Sequence, residues 1–590
     1  MEMGFCPRRG GFTLGGNCGV NPSVSESVPA AGSPGRGRRV GWFRFGAVLV
    51  GVLPLVLIEV VLRCLEVARP GVDPLAGIGG QQPVFERVDE RYRTARTKEN
   101  FFSQQEFPVR KATNVFRIFA LGGSTVYGHP YLNETAFPKW LELELAARAP
   151  GRKIEAINCG GISYASYRLS FVLHEVLRYE PDLIVLAMGH NEFLEDRTYH
   201  SIKARSPARR WVEARAASLL TVQWLRQMGE IGQADSARGG ETERSAGREV
   251  DPRLDHSRAG YASYRRDEAW RERVIHQFDE TFRTMLVECR AAGVPVIVTL
   301  LGSNLRDCPP FKSEHRSGLT LEQDDRWQRC FDEATQADHQ NDLATALARY
   351  REAEAIDTRR ALLAYRIARA LDRLGQTAEA RDYYLRAKDE DVCPLRMIDS
   401  IARAQRRMVE EYQVPLVDAQ GLLEERSPGR LPGSDWYLDH VHPTIGGHQR
   451  IARALAAKVE ELNLLPALRS ESDEQRRLGR EQHLASLPAA YFNNGRRRVD
   501  WLENWARRHK LHAETLPREA FGFLRQGMRQ FELGEVEQAR ASFALALQTD
   551  AATAPMLAAH VRELVEQGRL QPEALAQLPA LDGFRRAVGK

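Results

Sequence analysis

Phe119-Ala120-Leu121-Gly122-Gly123-Ser124-Thr125-Val126-Tyr127-Gly128 is the stretch around which the chain is organised. It closes a run of apolar, β-favouring residues, Val115 to Leu121, with two glycines, a serine and a threonine, and an amphipathic pattern begins about ten residues later. The run and its abrupt end predict a strand entering a tight turn. Glycines permit the sharp backbone, so the Ser124 hydroxyl can stand at the carboxyl edge of a sheet, where open α/β sheets place their sites. Ser124 is therefore a candidate nucleophile. Alone, Gly-Gly-Ser-Thr reads equally as an ordinary polar turn.

Other segments share the form. Ile154 to Asn158 is a short strand followed by Cys159-Gly160-Gly161-Ile162-Ser163-Tyr164, and Leu183 to Met188 is a buried strand that delivers Gly189, His190 and Asn191. Val294 to Leu301 is a fourth strand and Val414 to Val417 a short last one. Helical patterns over Glu134 to Ala147, Tyr164 to Arg178, Tyr264 to Ala291 and Ile445 to Leu462 intervene. Alternating strands and helices predict an α/β fold with a parallel sheet and helices on both faces. Late in the chain, Asp439-His440-Val441-His442-Pro443-Thr444 leads directly into the last of those helices.

These blocks, in this order, resemble the SGNH hydrolases, also called the GDSL esterase/lipase family, over roughly Val115 to Tyr199 and Val294 to Leu462. The resemblance implies a three-layer α/β/α, flavodoxin-like domain. It makes Ser124 the nucleophile, His442 the general base, Asp439 its orienting carboxylate and Asn191 a side-chain donor to the oxyanion. In its second block the family has a glycine whose N–H completes the oxyanion hole. Counting from Asn158 puts Ser163 there, with Gly160 and Gly161 earlier, so the choice among these amides is open.

The chemistry agrees with those residue types. A serine hydroxyl is a weak nucleophile until an imidazole accepts its proton, and a carboxylate must hold that imidazole in one tautomer. The Asp439-x-x-His442 spacing lets a turn fold the carboxylate back onto the ring. His440 is a rival base and His448 a weaker one; as structural residues they would be a loop and a helix-surface position.

With 590 residues the chain exceeds a single core, and 27% charged and 43% hydrophobic residues describe a globular protein. The net charge of +5 is spread thinly, and no basic patch interleaved with aromatics points to nucleic acid. Residues 1–40, rich in Gly, Pro, Ser and Arg, read as disordered. Phe45 to Leu62 follows, eighteen residues with Glu59 the one charge. It is long enough to span about 27 Å, close to a bilayer core. Arg36, Arg38, Arg39 and Arg44 flank its amino end, which places the remainder outside the cytoplasm. A buried helix and a cleaved signal peptide are the competing readings, and no small-x-small cleavage site follows.

The boundaries expected are a disordered segment 1–40, a transmembrane anchor 41–65, a stalk and lead-in 66–114, hydrolase parts 115–325 and 394–465, a helical insertion 326–393 and a C-terminal helical region 466–590. From Asp196 to Ala259 the signal weakens: Arg209 to Met228 could be a helix and Gly232 to Asp255 a mobile excursion. The loop after the fourth strand faces the edge that carries Ser124, so Asn304, Arg306 and Lys312 could bind a polar or anionic substrate. A structural Pro-rich loop is the alternative.

Within the insertion, Asn341, Ala346, Ala353 and Asp357 repeat as Gly375, Ala380, Ala387 and Asp391 at an offset of 34, and the pattern returns from Arg525 to Asp550. This resembles tetratricopeptide repeats and implies a protein partner. The eight cysteines lack metal-ligand spacing, and Gly122-Gly123-Ser124 lacks the lysine of a phosphate-binding loop, so neither metal nor organic cofactor is expected. Cys330 and Cys393 bracket the insertion and are the pair a bridge there would use.

The reading is a membrane-anchored, extracytoplasmic serine hydrolase acting on ester bonds, with O-acyl groups of a cell-surface glycan or lipid as substrate. Two others stand beside it: an O-acyltransferase with the same residues, and an interaction scaffold whose hydrolase part is secondary or inactive.

Overall fold

A computed structural model describes residues 53–54, 57–61, 83–203, 221, 264–466, 468–508, 527 and 536–549. Two compact units divide the chain, Met1–Ala68 and Arg69–Lys590. Of the first, the few described residues are helical, with Leu53, Leu57, Val60 and Val61 exposed. Among the described residues no helix is long and apolar enough to cross a membrane, and most of the expected anchor, like residues 1–40, lies outside them.

The second unit opens with β1 (Phe85–Val88), β2 (Arg91–Thr94) and β3 (Glu106–Pro108), an antiparallel sheet. This corrects the expected stalk. Val84, Phe85, Phe102 and Phe107 are buried in the main core, so the aromatics dotted through this segment are packing groups. The lead-in is part of the domain.

Next come β4 (Val115–Gly122), α1 (Ser124–Tyr127), α2 (Phe137–Arg148), β5 (Lys153–Gly160), α3 (Ser166–Val176), β6 (Leu183–Ala187), α4 (Glu192–Lys203), α5 (Glu268–Ala291) and β7 (Val296–Leu300). Apart from Thr221, which is helical and buried, the expected helix and excursion in 204–263 fall outside the described residues. Four helices follow, α6 (Leu321–His339), α7 (Leu343–Ile356), α8 (Ala361–Arg373) and α9 (Thr377–Asp389), and then α10 (Asp399–Glu411), β8 (Leu416–Asp418), α11 (Ala419–Glu424) and α12 (Ile445–Glu461). The described C-terminal elements are α13 (Asp473–Ser486), α14 (Ala489–Arg508) and α15 (Val536–Thr549).

Five strands form one all-parallel sheet in the order β5-β4-β6-β7-β8. Strand order reverses beside β4, which makes the carboxyl ends of β4 and β6 the crevice where such sheets hold ligands. The side chains of β4 alternate as a strand buried on both faces requires. Phe119 and Leu121 join a core with residues of α3, α5 and α10, while Ile118 and Ala120 join another with residues of α2 and α12. Three layers result.

The insertion between β7 and β8 has its own core around Trp327, Tyr350, Leu371 and Tyr384, which also takes in Leu305 and Leu431 from the sheet domain. Small residues let its helices approach: Ala346, Ala353, Ala380 and Ala387 are all buried. Gly375, with φ 78°, makes the left-handed turn between α8 and α9. Cys330 and Cys393 are free, buried thiols, so the bridge considered from the sequence is not formed.

One buried charge ties these parts. Arg117 of β4 is fully buried, donates to Glu155 of β5 at 3.0 Å and to the carbonyls of Tyr179 at 2.9 Å and Pro108 at 3.0 Å. It links the small sheet, the large sheet and the end of α3. Removing it leaves Glu155 with the Lys153 ammonium alone and takes a donor from two carbonyls, so Arg117→Ala should lower unfolding free energy in urea by about 3 kcal/mol. Arg117→Met with Glu155→Leu should recover much of the loss, and a single-variant change below about 1 kcal/mol would contradict this reading.

Candidate active site

At the end of β4 the chain turns on two glycines. A Cβ on Gly122 would lie 2.1 Å from the Ala187 carbonyl oxygen and 2.3 Å from Val126 Cγ2, and one on Gly160 would lie 2.1 Å from the Tyr127 nitrogen. Helix α1 therefore packs on the backbone of β5 and, through Val126, on the end of β4, with Ser124 as its first residue, half-buried at the sheet edge. Asn158 secures the turn from β5. Its Nδ2 donates to the Val126 carbonyl at 2.8 Å and to Asn133 Oδ1 at 3.0 Å, while its Oδ1 accepts from the Gly160 N–H at 2.9 Å.

The Asp439 block arrives at the same edge. Asp439 Oδ1 accepts from the backbone N–H groups of Val441 at 2.9 Å and His442 at 2.8 Å, and Oδ2 lies 2.5 Å from His442 Nδ1. His442 Nε2 lies 2.7 Å from Ser124 Oγ. With a carboxylate at Nδ1, that nitrogen carries the proton and Nε2 accepts from the serine, a tautomer assigned from this network. Burial pushes the Asp439 carboxyl up, but the neighbouring His442 and His440 and the hydrogen bonds from His442 outweigh it and hold the group well below the ordinary carboxylate range. It stays anionic.

His442 is thus the imidazole on Ser124. His440 Nδ1 is 3.5 Å from Asp439 Oδ1 and its ring packs edge-on against Phe311. His448 is buried in α12, where Nδ1 accepts from the Phe137 N–H at 3.3 Å. His129, which the sequence reading passed over, lies with its ring 4.8 Å from that of His442.

Of the candidate oxyanion donors, Asn191 lies beside the turn that carries Ser124. A Cβ on Gly123 would be 2.6 Å from Asn191 Nδ2, which places that amide beside the nucleophile turn. Asn191 Nδ2 donates one hydrogen to the Tyr164 carbonyl at 3.0 Å and keeps a second. The Gly161 N–H is spent on the Gly122 carbonyl at 2.9 Å, which corrects Gly161 as a donor, and the Gly160 N–H is spent on Asn158. Ser163 sits at φ 60°, and its N–H donates to no acceptor among the described residues. A left-handed turn position is where glycine is favoured. Of the three second-block amides weighed, Ser163 is the one left without an acceptor among the described residues.

The three loop residues expected to meet substrate are otherwise engaged. Asn304 Nδ2 donates to the Asp439 carbonyl at 3.1 Å, and its Oδ1 accepts from the Asp307 N–H at 2.9 Å, so it braces the Asp439 loop. Arg306 makes a two-pronged ion pair with Asp372 of α8 at 2.8 and 2.9 Å. Lys312 is buried, bonded to the Tyr264 carbonyl and paired with Glu314 at 3.1 Å. A polar loop at the correct sheet edge does not by itself aim its side chains at the site. The groups that sequence reasoning missed, Arg168, Glu192 and Glu195, lie behind the Ser163 turn; two acidic residues in the first turn of α4 were the available signal.

The arrangement can activate a serine and stabilise charge on an oxygen bonded to the carbon it attacks. No family model and no curated protein matches the chain. In structure it is similar to a protein of the G-D-S-L lipolytic family from Desulfitobacterium hafniense DCB-2, at 8% identity over 58% of this chain and 98% of the other, with a TM-score of 0.25. It is similar also to a catalytic mutant of an acetylxylan esterase from Geobacillus stearothermophilus, at 12% identity, 60% and 97% coverage and a TM-score of 0.27. The lipase/acylhydrolase of Enterococcus faecalis aligns at 12% identity, over 60% of this chain and 100% of that one, with a TM-score of 0.26.

Burial lowers three histidines around the site, His129, His190 and His448, each to about 3. A folded-state value below the ordinary His value of about 6.5 means that the unfolded chain binds the proton first as pH falls. Stability is unaffected above about pH 6.5 and is lost progressively between there and about pH 3, with up to about three protons taken up on unfolding. Urea titrations across this range should show that slope, and His190→Gln should reduce it by about one proton. An unchanged slope would refute the buried neutral state of His190.

Proposed function

We propose that this protein is a serine hydrolase of ester bonds, of the SGNH type. The reading is carried by one observation, the 2.7 Å contact from Ser124 Oγ to a His442 whose other nitrogen lies 2.5 Å from Asp439. Ser124 Oγ attacks the acyl carbon as His442 Nε2 takes its proton. The carbonyl oxygen, now negative, accepts from Asn191 Nδ2 and the Ser163 N–H. His442 then gives its proton to the departing alcohol, activates a water by the same route, and the acid is released. Asp439 keeps the imidazole in one tautomer and stabilises its charged form.

The wider assignment extends the sequence reading. An anchor at Phe45 to Leu62 with arginines before it would hold the domain outside the cytoplasm, and there O-acyl groups on a cell-surface glycan or lipid are the substrates within reach. Helices α6 to α9, whose sequence resembles tetratricopeptide repeats, would take a protein partner.

Labelling the full-length chain with a fluorophosphonate and locating the adduct by peptide mass spectrometry tests the core of this. The adduct should fall on Ser124, vanish in Ser124→Ala, fail in His442→Ala and persist in His440→Ala. Asn191→Ala should lower kcat for an acetyl ester by about 10²- to 10³-fold. Absence of adduct on folded protein would reject the hydrolase.

A further inference from the structure

The two proposed oxyanion donors sit on neighbouring turns, and each turn runs into a helix. Gly161 to Tyr164 leads into α3, and Gly189 to Asn191 leads into α4. The first turn holds a conformation that L residues resist, with Ser163 at φ 60°. The direction of its N–H depends on that conformation being kept. Something must keep it.

Arg168, on the first turn of α3, donates from Nη2 to the Ser163 carbonyl and lays its guanidinium 3.9 Å from the centre of the Tyr164 ring. Its Nε donates to Glu195 Oε2 at 2.6 Å. Glu195 belongs to the first turn of α4, where its own N–H donates to the Asn191 carbonyl at 2.8 Å. The same carboxylate accepts from the Ala165 N–H at 2.9 Å, and Glu192 accepts from the Ser166 N–H at 3.0 Å and its hydroxyl at 2.7 Å. The Tyr164 carbonyl closes the circuit by accepting from Asn191 Nδ2.

Arg168 and Glu195 are 3% and 1% exposed, so the pair is desolvated. Such a pair is a poor source of stability compared with apolar residues of the same volume, and fixing one arrangement is the use that suits it. A planar guanidinium does so well, since its donors leave in fixed directions.

We infer that Arg168 is a positioning residue for ester hydrolysis: it holds the Ser163 carbonyl, and with it the Ser163–Tyr164 peptide plane, so that Ser163 keeps the left-handed backbone angles on which the direction of its N–H depends, and through Glu195 it ties that turn to the one bearing Asn191. The inference rests on the hydrolase reading above, with Ser163 and Asn191 as the oxyanion donors. It assigns Arg168 no contact with substrate.

The test is steady-state hydrolysis of p-nitrophenyl acetate by the full-length chain, with kcat referred to serine titrated by a fluorophosphonate. Arg168→Gln should lower kcat by about ten- to a hundredfold while KM moves by less than about threefold. The paired variant Arg168→Gln/Glu195→Gln, which leaves no unmatched buried charge, should show a similar loss should the single variant fold poorly. Glycine enters the left-handed region without the Cβ penalty, so the cost of Arg168→Gln should be at least about fivefold smaller in a chain already carrying Ser163→Gly. A role in folding alone would reduce the titratable serine without lowering kcat per serine, and would be indifferent to Ser163→Gly. The inference is overturned if kcat per titrated serine in both Arg168 variants stays within about twofold of wild type, or if the loss is equal in the two Ser163 backgrounds. Wild type that neither titrates nor hydrolyses would sink the ester-hydrolase reading itself.

Discussion

At the carboxyl edge of the sheet two glycines allow a packing that any Cβ would prevent. Gly122 lies against the Ala187 carbonyl, and Gly160 lies against the first turn after the nucleophile. Everything at the site is referred to that contact. Ser124 and His442 are 318 residues apart in sequence, so no local geometry can set their 2.7 Å approach. One is placed by α1 packed on β5 and on the end of β4. The other is placed by a loop held independently, through Asp439, Asn304 and the Leu438 N–H on the His442 carbonyl at 2.8 Å. A methyl group inserted under α1 would shift one partner and not the other, and about 1 Å of misplacement is enough to cost about 10²-fold in rate.

Much of this was legible in the sequence because it obeys local rules. A strand buried on both faces reads as a mainly apolar run, and five short, largely apolar runs marked the sheet; their order and the glycines at the end of β4 drew attention to Ser124. Asp439 and His442 were legible because a turn of three residues is a short-range feature. Residues 85–108 were not, because their strands are short and their burial depends on partners such as Tyr179, in edge contact with Phe85 and Phe107. Nor could sequence decide among the amides after Asn158. That decision depends on which N–H groups the sheet has already consumed, and Gly161 is consumed by pairing with Gly122.

Arg306 and Lys312 show the same boundary from the other side. Both are cations in a loop on the correct edge, which is all that sequence can report. The partner of Arg306, Asp372 on α8, is brought up by how the insertion folds back, and that of Lys312 is Glu314, two residues on, with which it is buried. Buried or half-buried cations are matched before any substrate arrives, because leaving them unmatched would cost several kcal/mol. Position in the topology thus nominated these residues, and pairing removed them.

The insertion itself is fastened close to the chemistry. Its exit is held by Asp391, which accepts from the N–H groups of Phe311, Lys312 and Cys393 at 2.7 to 3.0 Å. A few residues on, the Met397 N–H donates to His190 Nδ1 at 3.0 Å, and Lys388 of α9 donates to the Met397 carbonyl at 2.9 Å. His190 directly precedes Asn191. Gly189 has φ 123° and approaches Met397 so closely that a Cβ would lie 2.5 Å from its sulfur. The turn carrying Asn191 is therefore held from one side by the turn leading into α3, through the Tyr164 carbonyl, and from the other by the chain returning from α9. A helical insertion joined only by flexible linkers could move without consequence for the serine; this one shares a hydrogen-bonded boundary with the residue beside Asn191, so its docking and the geometry of that side of the site are fixed together.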